Sequence, residues 1–333
     1  MYDPKPAACI QDLDKAYSLI NSVAFHPTKR LFCATYTNSN ALRLFRLSES
    51  GKASLVQQLS NPRAKLASPQ HAVFSPDGRR LIVANWSSEN FTVHARGFTG
   101  RYSRKPIAVS SFPERLASYK PHGIEISPSG KSIAVAFGAA LFNPMAIGLF
   151  AFDADSGEVR LLSLVEGSDL AGIPKGICFT PDETAILVTF SNTHGVAIYG
   201  ISADSGVIDP KPRQIVTGPA TGFARPEDIK LTRDGNFVIV TNSGANTLTF
   251  HAFDPATNRI TQDAPARIME DPESGLNFPH GVALSLDGDF MVVSHFGPIE
   301  TTADENIRFS HETPSNYARI TIYRREKAET LKS

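Results

Sequence analysis

The chain of 333 residues is predicted to be all-β, a single six-bladed β-propeller spanning residues 1–333. Three observations carry that prediction. A block of apolar strand, tight turn and second apolar strand recurs six times, and its copies are separated by a nearly constant interval. Each copy is followed by two further strand-like runs, which completes a four-stranded blade. The composition, 41% hydrophobic and 20% charged, supplies core material for a closed ring and rules out disorder.

The blocks are NSVAFHPTKRLFCAT from Asn21, QHAVFSPDGRRLIVAN from Gln70, HGIEISPSGKSIAVAF from His122, KGICFTPDETAILVTF from Lys175, EDIKLTRDGNFVIVTN from Glu227 and HGVALSLDGDFMVVSH from His280. Aligned on Pro27, Pro76, Pro128, Pro181, Arg233 and Leu286, the intervals are 49, 52, 53, 52 and 53. Within each block, SPDG-like residues suit the tight hairpin between two β-branched runs. The third strands are LRLFRL, FTVHA, IGLFAF, GVAIYGI, TLTFHAF and ARITIYR; the weaker fourth strands are SLVQQL, IAVSS, VRLLSLV, RQIVT and ARIME. The blades therefore run roughly 15–60, 61–112, 113–166, 167–218, 219–269 and 270–325.

The sixth unit lacks a fourth strand, since ARITIYRR is followed by polar EKAETLKS. The segment Ala7 to Leu13 has no inner strand of its own and is expected to fill that edge. Closure by both ends of the chain leaves only short protected edges.

A formal charge of zero with no Lys/Arg run argues against nucleic acid or an anionic membrane as partner. The longest apolar runs are strand-sized, and the first residues lack a signal-peptide layout, so the chain is read as cytoplasmic. Cys9, Cys33 and Cys178 form no even framework and no CxxC pair, and each is expected to be a small buried thiol.

The repeat in KPHGIEISPSGKSIAVAF, PQHAVFSPDGRRLIVAN and FPHGVALSLDGDFMVVSH resembles that of the lactonase and YVTN-type β-propeller superfamily, over residues 20–325. The resemblance implies a propeller. It also implies an activity drawn from phosphogluconolactonases, a muconate lactonising enzyme or non-catalytic members. That superfamily is usually seven-bladed, whereas six units are found here.

In a propeller the first strand of each blade lines the channel. The column at its start reads Asn21, Gln70, His122, Lys175, Glu227 and His280, preceded in five blades by proline and followed by Ser22, His71, Gly123, Gly176, Asp228 and Gly281. Any sixfold funnel is wet, and polar residues at its mouth can merely solvate it. Two histidines, a lysine and a glutamate together are instead the residue types that exchange protons and hold anions at neutral pH. His122, His280, Lys175 and Glu227 are therefore the candidate catalytic residues. Asn21, Gln70, His71, Asp228, His295 and Arg308 are the candidate substrate-binding residues.

The second strands end on the same face at Thr35, Asn85, Phe137, Phe190, Asn242 and His295, and Trp86 follows Asn85 as a packing residue. The 22 residues from Phe296 to Tyr317 form a lid candidate, with Arg308, His311 and Tyr317 towards a ligand and Leu141, Phe142 and Met145 as an apolar wall. No cofactor is expected. Calcium is the alternative, through Glu227, Asn21, Asp228, Asn85 and Asn242, but the Lys175 charge opposes it. Zinc held by His122, His280 and His295 is disfavoured because opposite channel walls would have to meet at one ion.

The reading is a metal-independent enzyme for a small-molecule substrate, a lactone or related cyclic carboxylate, using acid–base chemistry in the channel. The alternatives are a non-catalytic propeller that binds a ligand or protein, and a cyclase of specialised metabolism.

Overall fold

The computed structural model describes residues 1–11, 19–138, 144–202, 206–270, 273–296, 299–301, 307–309 and 318–326. Six antiparallel sheets form a ring, one for each sequence unit. Five have four strands. In blade five the outer edge is split into two pieces, Arg259–Ile260 and Arg267–Met269, both paired with Thr247–Asp254. Among the described residues the helical pieces are three single-turn 3-10 segments. No helix of the described residues is long and apolar enough to cross a membrane.

The chain closes the ring on itself. Ala8–Gln11 pairs antiparallel with Arg319–Arg324, placing Ala8 against Ile322 and Gln11 against Arg319. Leu13 lies outside the described residues. Cys9 is exposed on this edge strand, while Cys33 and Cys178 are buried. The edge position explains the difference, because alternate residues of a last strand face solvent.

Both faces of a blade's inner strands are buried, which explains why LIVAN, AILVTF and FMVVSH are nearly all apolar. Alternation sends successive side chains to opposite neighbours: Leu31 and Cys33 pack towards blade two, Phe32, Ala34 and Tyr36 towards blade six. Six apolar clusters result, one at each junction between blades. A fully buried Phe, Leu or Ile in them stabilises the fold by about 1.5–3 kcal/mol relative to exposure.

The hairpin turns repeat their chemistry as well. Ser75 Oγ donates to Asp77 Oδ1 at 2.6 Å, Asp77 Oδ1 accepts from Arg79 N at 2.9 Å, and Gly78 takes a φ of 68° that a Cβ would disfavour. Thr180 with Asp182, Thr232 with Asp234 and Ser285 with Asp287 repeat the first contact.

Each inner strand shifts register after its first residue, as between Pro226 and Ile229. The bulge places two residues against one and re-aims them. The first residue of each pair stands at the mouth of the channel; the second lies one level below and meets the neighbouring blade. Its backbone N–H is then taken by a hydroxyl of the second strand, as in Ser22 N to Thr35 Oγ1 (3.0 Å), Gly176 N to Thr189 Oγ1 (2.7 Å) and Asp228 N to Thr241 Oγ1 (2.8 Å). Thr35 thus belongs to this hydroxyl column. The partner of Ile20, which matches Asn85 and His295 in the other blades, is Tyr36.

Candidate active site

Six inner strands bring Asn21, Gln70, His122, Lys175, Glu227 and His280 to one end of the channel. All but Lys175 are buried. His122 and His280 come from blades three and six, yet their rings meet with centroids 5.1 Å apart. Glu227 stands between them: its Oε2 is 3.6 Å from His122 Nε2 and 3.7 Å from His280 Nε2. Its other oxygen accepts from Ser243 Oγ at 3.1 Å, and Oε2 itself has no hydrogen-bond partner.

The tethers of the two rings define their free atoms. His280 Nδ1 lies 2.7 Å from the Asn21 carbonyl of the next blade, which accepts a hydrogen bond from its N–H and leaves Nε2 with a bare lone pair. The Lys175 backbone carbonyl, again one blade on, favours the protonated form of the His122 ring. Burial, reinforced by the charge of Lys175, holds His122 well below the ordinary imidazole pKa. Burial also lowers His280, against the opposing pull of Glu227. Both rings are neutral at pH 7. Desolvation of the half-buried Lys175 ammonium lowers it too, although the Glu227 carboxylate favours its charge.

Asn21 and Gln70 complete the ring. Asn21 Nδ2 donates to Gln70 Oε1 at 2.6 Å and to Thr37 Oγ1 at 2.5 Å. The cavity enclosed by the ring is about 10 Å³, room for one water-sized group.

Of the remaining candidates, His71 and Asp228 line the same cavity one level down, and the others are placed elsewhere. His71 and Asp228 form the waist below the ring as links between blades: His71 Nδ1 accepts from Ile124 N at 2.6 Å, and Asp228 Oδ2 accepts from Val282 N at 2.9 Å. Ser22 does the same with Ala72 N at 3.2 Å. Burial pushes the Asp228 carboxyl up to about 6. The other three positions are glycines, because backbone approaches directly: a Cβ on Gly123 would lie 2.3 Å from the Lys175 carbonyl.

His295 is a structural histidine. Its Nδ1 faces the Asn277 carbonyl at 2.9 Å and its Nε2 meets Thr321 Oγ1 at 2.8 Å, so it fastens a loop to blade six rather than entering the channel. Asn85 and Asn242 bind loops likewise, accepting from Ala67 N and Ala224 N. Arg308 sits on a short strand opposite Glu300, and its side chain lies outside the described residues. Leu141, Phe142, His311 and Tyr317 lie outside them too.

Three residues that shape the ring escape a reading of the inner strands alone. Ser243 binds Glu227, Thr37 binds Asn21, and Phe296 stacks on His280 with centroids 4.9 Å apart and planes 17° from parallel. They share one column, the residue just past the end of the second strand, to which Trp86 also belongs. The repeat alignment contains that signal.

The opposite end of the channel is wide. A cavity of about 510 Å³ is lined by Phe25, Phe74, Phe179 and Leu284, with Glu125 and Lys230 on its wall. Lys230 Nζ donates to Glu125 across the channel. Burial works against the Lys230 charge, but Glu125 and Asp228 outweigh it and hold the ammonium above its ordinary range.

Among solved structures, the chain is similar to a protein from Lactobacillus plantarum, with a TM-score of 0.61 and 14% identity, covering 91% of this chain and 87% of that one. It is similar to the periplasmic gluconolactonase of Pseudomonas aeruginosa (TM-score 0.59, 18% identity, 91% and 87% covered). It is also similar to a candidate 6-phosphogluconolactonase of Bacteroides uniformis (TM-score 0.58, 15% identity, 95% and 88% covered). No curated protein matches it. The family described as lactonase, 7-bladed beta-propeller, matches residues 22–296, and although this ring has six blades, the chain belongs to that family.

Proposed function

We propose that the protein is an enzyme that opens, closes or isomerises a small lactone or related cyclic carboxylate by acid–base chemistry at the narrow end of the channel. The observation that carries this reading is the convergence of two neutral imidazoles and a buried carboxylate on one water-sized space. Family membership supports the substrate class.

In the hydrolytic direction, one imidazole Nε2 takes a proton from water as its oxygen adds to the lactone carbonyl, and Glu227 stabilises the imidazolium so formed. The ring C–O bond then breaks, and the proton passes to the leaving ring oxygen. Lactonisation is the same path reversed. Removal of a carbon-bound proton by the same Nε2 begins an isomerisation. Lys175 offsets the negative charge of the tetrahedral intermediate or of a substrate carboxylate. Because the enclosed space takes one water-sized group, only the reacting atoms enter it and the body of the substrate rests above the ring.

The test is a panel of five- and six-membered lactones and their hydroxy acids, assayed in both directions with chelator present. Turnover that falls by ~10²-fold or more in both His122→Ala and His280→Ala supports acid–base roles. Lys175→Met is expected to raise KM for an anionic substrate about tenfold while leaving the Tm nearly unchanged. Binding of lactones without turnover, or variants with full activity, would instead favour a non-catalytic propeller.

A further inference from the structure

We infer that His122, Glu227 and His280 form a site for one divalent transition-metal ion of the zinc class. The inference uses the side chains of the proposed reaction but does not depend on that reaction.

The first argument is the convergence of lone pairs. His122 Nε2, His280 Nε2 and Glu227 Oε2 lie within 4.8 Å of one another, and no donor among the described residues satisfies Glu227 Oε2. Three acceptors facing one another in a buried place repel unless a cation or a donor sits between them. The second argument is size. Ligand atoms about 2.1 Å from a tetrahedral ion are about 3.4 Å apart, close to the 3.6 Å and 3.7 Å separations of Glu227 from the two rings. Small side-chain rotations close the rest.

The third argument lies behind the ligands. A metal-binding imidazole ordinarily donates its other N–H to a carbonyl or carboxylate, which sets the tautomer and the ring plane. His280 does so to Asn21 O, and the Lys175 carbonyl bears on the His122 ring. Ser243 holds the remaining Glu227 oxygen. His280 and Glu227 are therefore oriented before any ion arrives. The expectation that opposite channel walls stand too far apart for one ion does not hold at this level of the ring, where the two histidines touch.

Two imidazoles and one carboxylate suit zinc and its first-row neighbours rather than calcium, which prefers an all-oxygen shell. Three protein ligands leave a position open to water or a ligand oxygen. Lys175 is the opposing charge near the ring, with Arg225 beyond it. An ion on both Nε2 atoms occupies the lone pairs that acid–base turnover needs, so ion binding and that reaction exclude one another.

The experiment is titration of chelator-stripped protein with Zn²⁺ by calorimetry and with Co²⁺ by visible absorption. One equivalent is expected, with the intense d–d bands of four- or five-coordinate cobalt. Glu227→Gln, His122→Ala and His280→Ala should each weaken binding at least 10²-fold, His295→Gln should leave it unchanged, and Lys175→Met should tighten it. Glu227→Gln keeps shape and volume, so a melt at or above that of the parent shows that lost binding is not lost folding. Binding well below one equivalent, equal affinity in the three ligand variants, or loss in Lys175→Met would overturn the site. These readouts need no substrate. A failed lactone assay leaves them standing, and a failed titration leaves the acid–base reading intact.

Discussion

The two ends of the channel differ in size and in how their charges are met. At the narrow end, about 10 Å³ is lined by polar residues and glycines, and a buried carboxylate oxygen faces two imidazole nitrogens with no donor between. At the wide end, about 510 Å³ opens between largely apolar walls, and its two central charges, Glu125 and Lys230, satisfy one another. Volume alone would favour the wide end. Chemistry favours the narrow one, because a buried carboxylate oxygen without a donor faces two imidazole nitrogens there, a combination suited to handling a proton or a ligand. The wide end shows what an ion pair looks like when it serves the fold.

Exchanging the ends is the strongest way to break this contrast. His122→Ala or Glu227→Gln should lower turnover on an identified lactone by ~10²-fold or more, while the double variant Glu125→Gln with Lys230→Met should keep it within about twofold. Steady-state kinetics giving the reverse would move the active site to the wide cavity.

A second effect appears in stability against pH. Burial lowers His71, His122 and His280 at the narrow end and its waist, and lowers His295 to about 3. The unfolded chain takes up protons near pH 6.5 that the folded rings refuse, so their contribution is complete above that pH and is lost as pH falls towards the folded values. Each such group changes stability by about 1.4 kcal/mol per pH unit in that window. Asp228 acts in the opposite sense between its ordinary 3.8 and about 6, since it stays protonated longer in the fold. Four histidines outweigh one aspartate, so urea midpoints should fall from pH 7 to pH 5. The variant His122→Gln with His280→Gln should flatten that fall.

At the wide end, Lys230→Met leaves the Glu125 carboxylate in its partly buried place without a partner. A loss of about 1–3 kcal/mol is expected in denaturant unfolding, largely restored by adding Glu125→Gln. Loss in the single variant with no recovery in the double would mean that Lys230 contributes by packing.

The smallest effect is a gain. Glu227→Gln places an amide donor opposite two acceptor nitrogens, so the Tm should rise by a few degrees, about 1 kcal/mol, while activity falls. Stability lost at an equivalent surface site but gained here would mark the ring as strained for function.

Much of this was legible without coordinates. The 49–53-residue period, the SPDG turns and the unpaired strand at the N-terminal end define six blades and their closure, because a repeat restates the same local physics six times. The channel column was legible for the same reason, since equivalent residues point in equivalent directions. His71 and Asp228 were not readable as links between blades, because the bulge that brings them against the neighbouring blade follows from pairing with the second strand. His295 looked like a further site residue until the Asn277 loop and Thr321 on the third strand of its blade were seen to hold it.

The sequence by itself therefore determined the architecture and the six side chains at the mouth. Only the tertiary structure decided their distances. Ring width is set where inner strands meet: Gly123, Gly176 and Gly281 lack the Cβ that would hold backbones apart, while Ser22, His71 and Asp228 bridge the other junctions by side chain. That closeness brings His122 of blade three against His280 of blade six. Contact across a ring depends on the sum of all six junctions, and no single repeat encodes that sum.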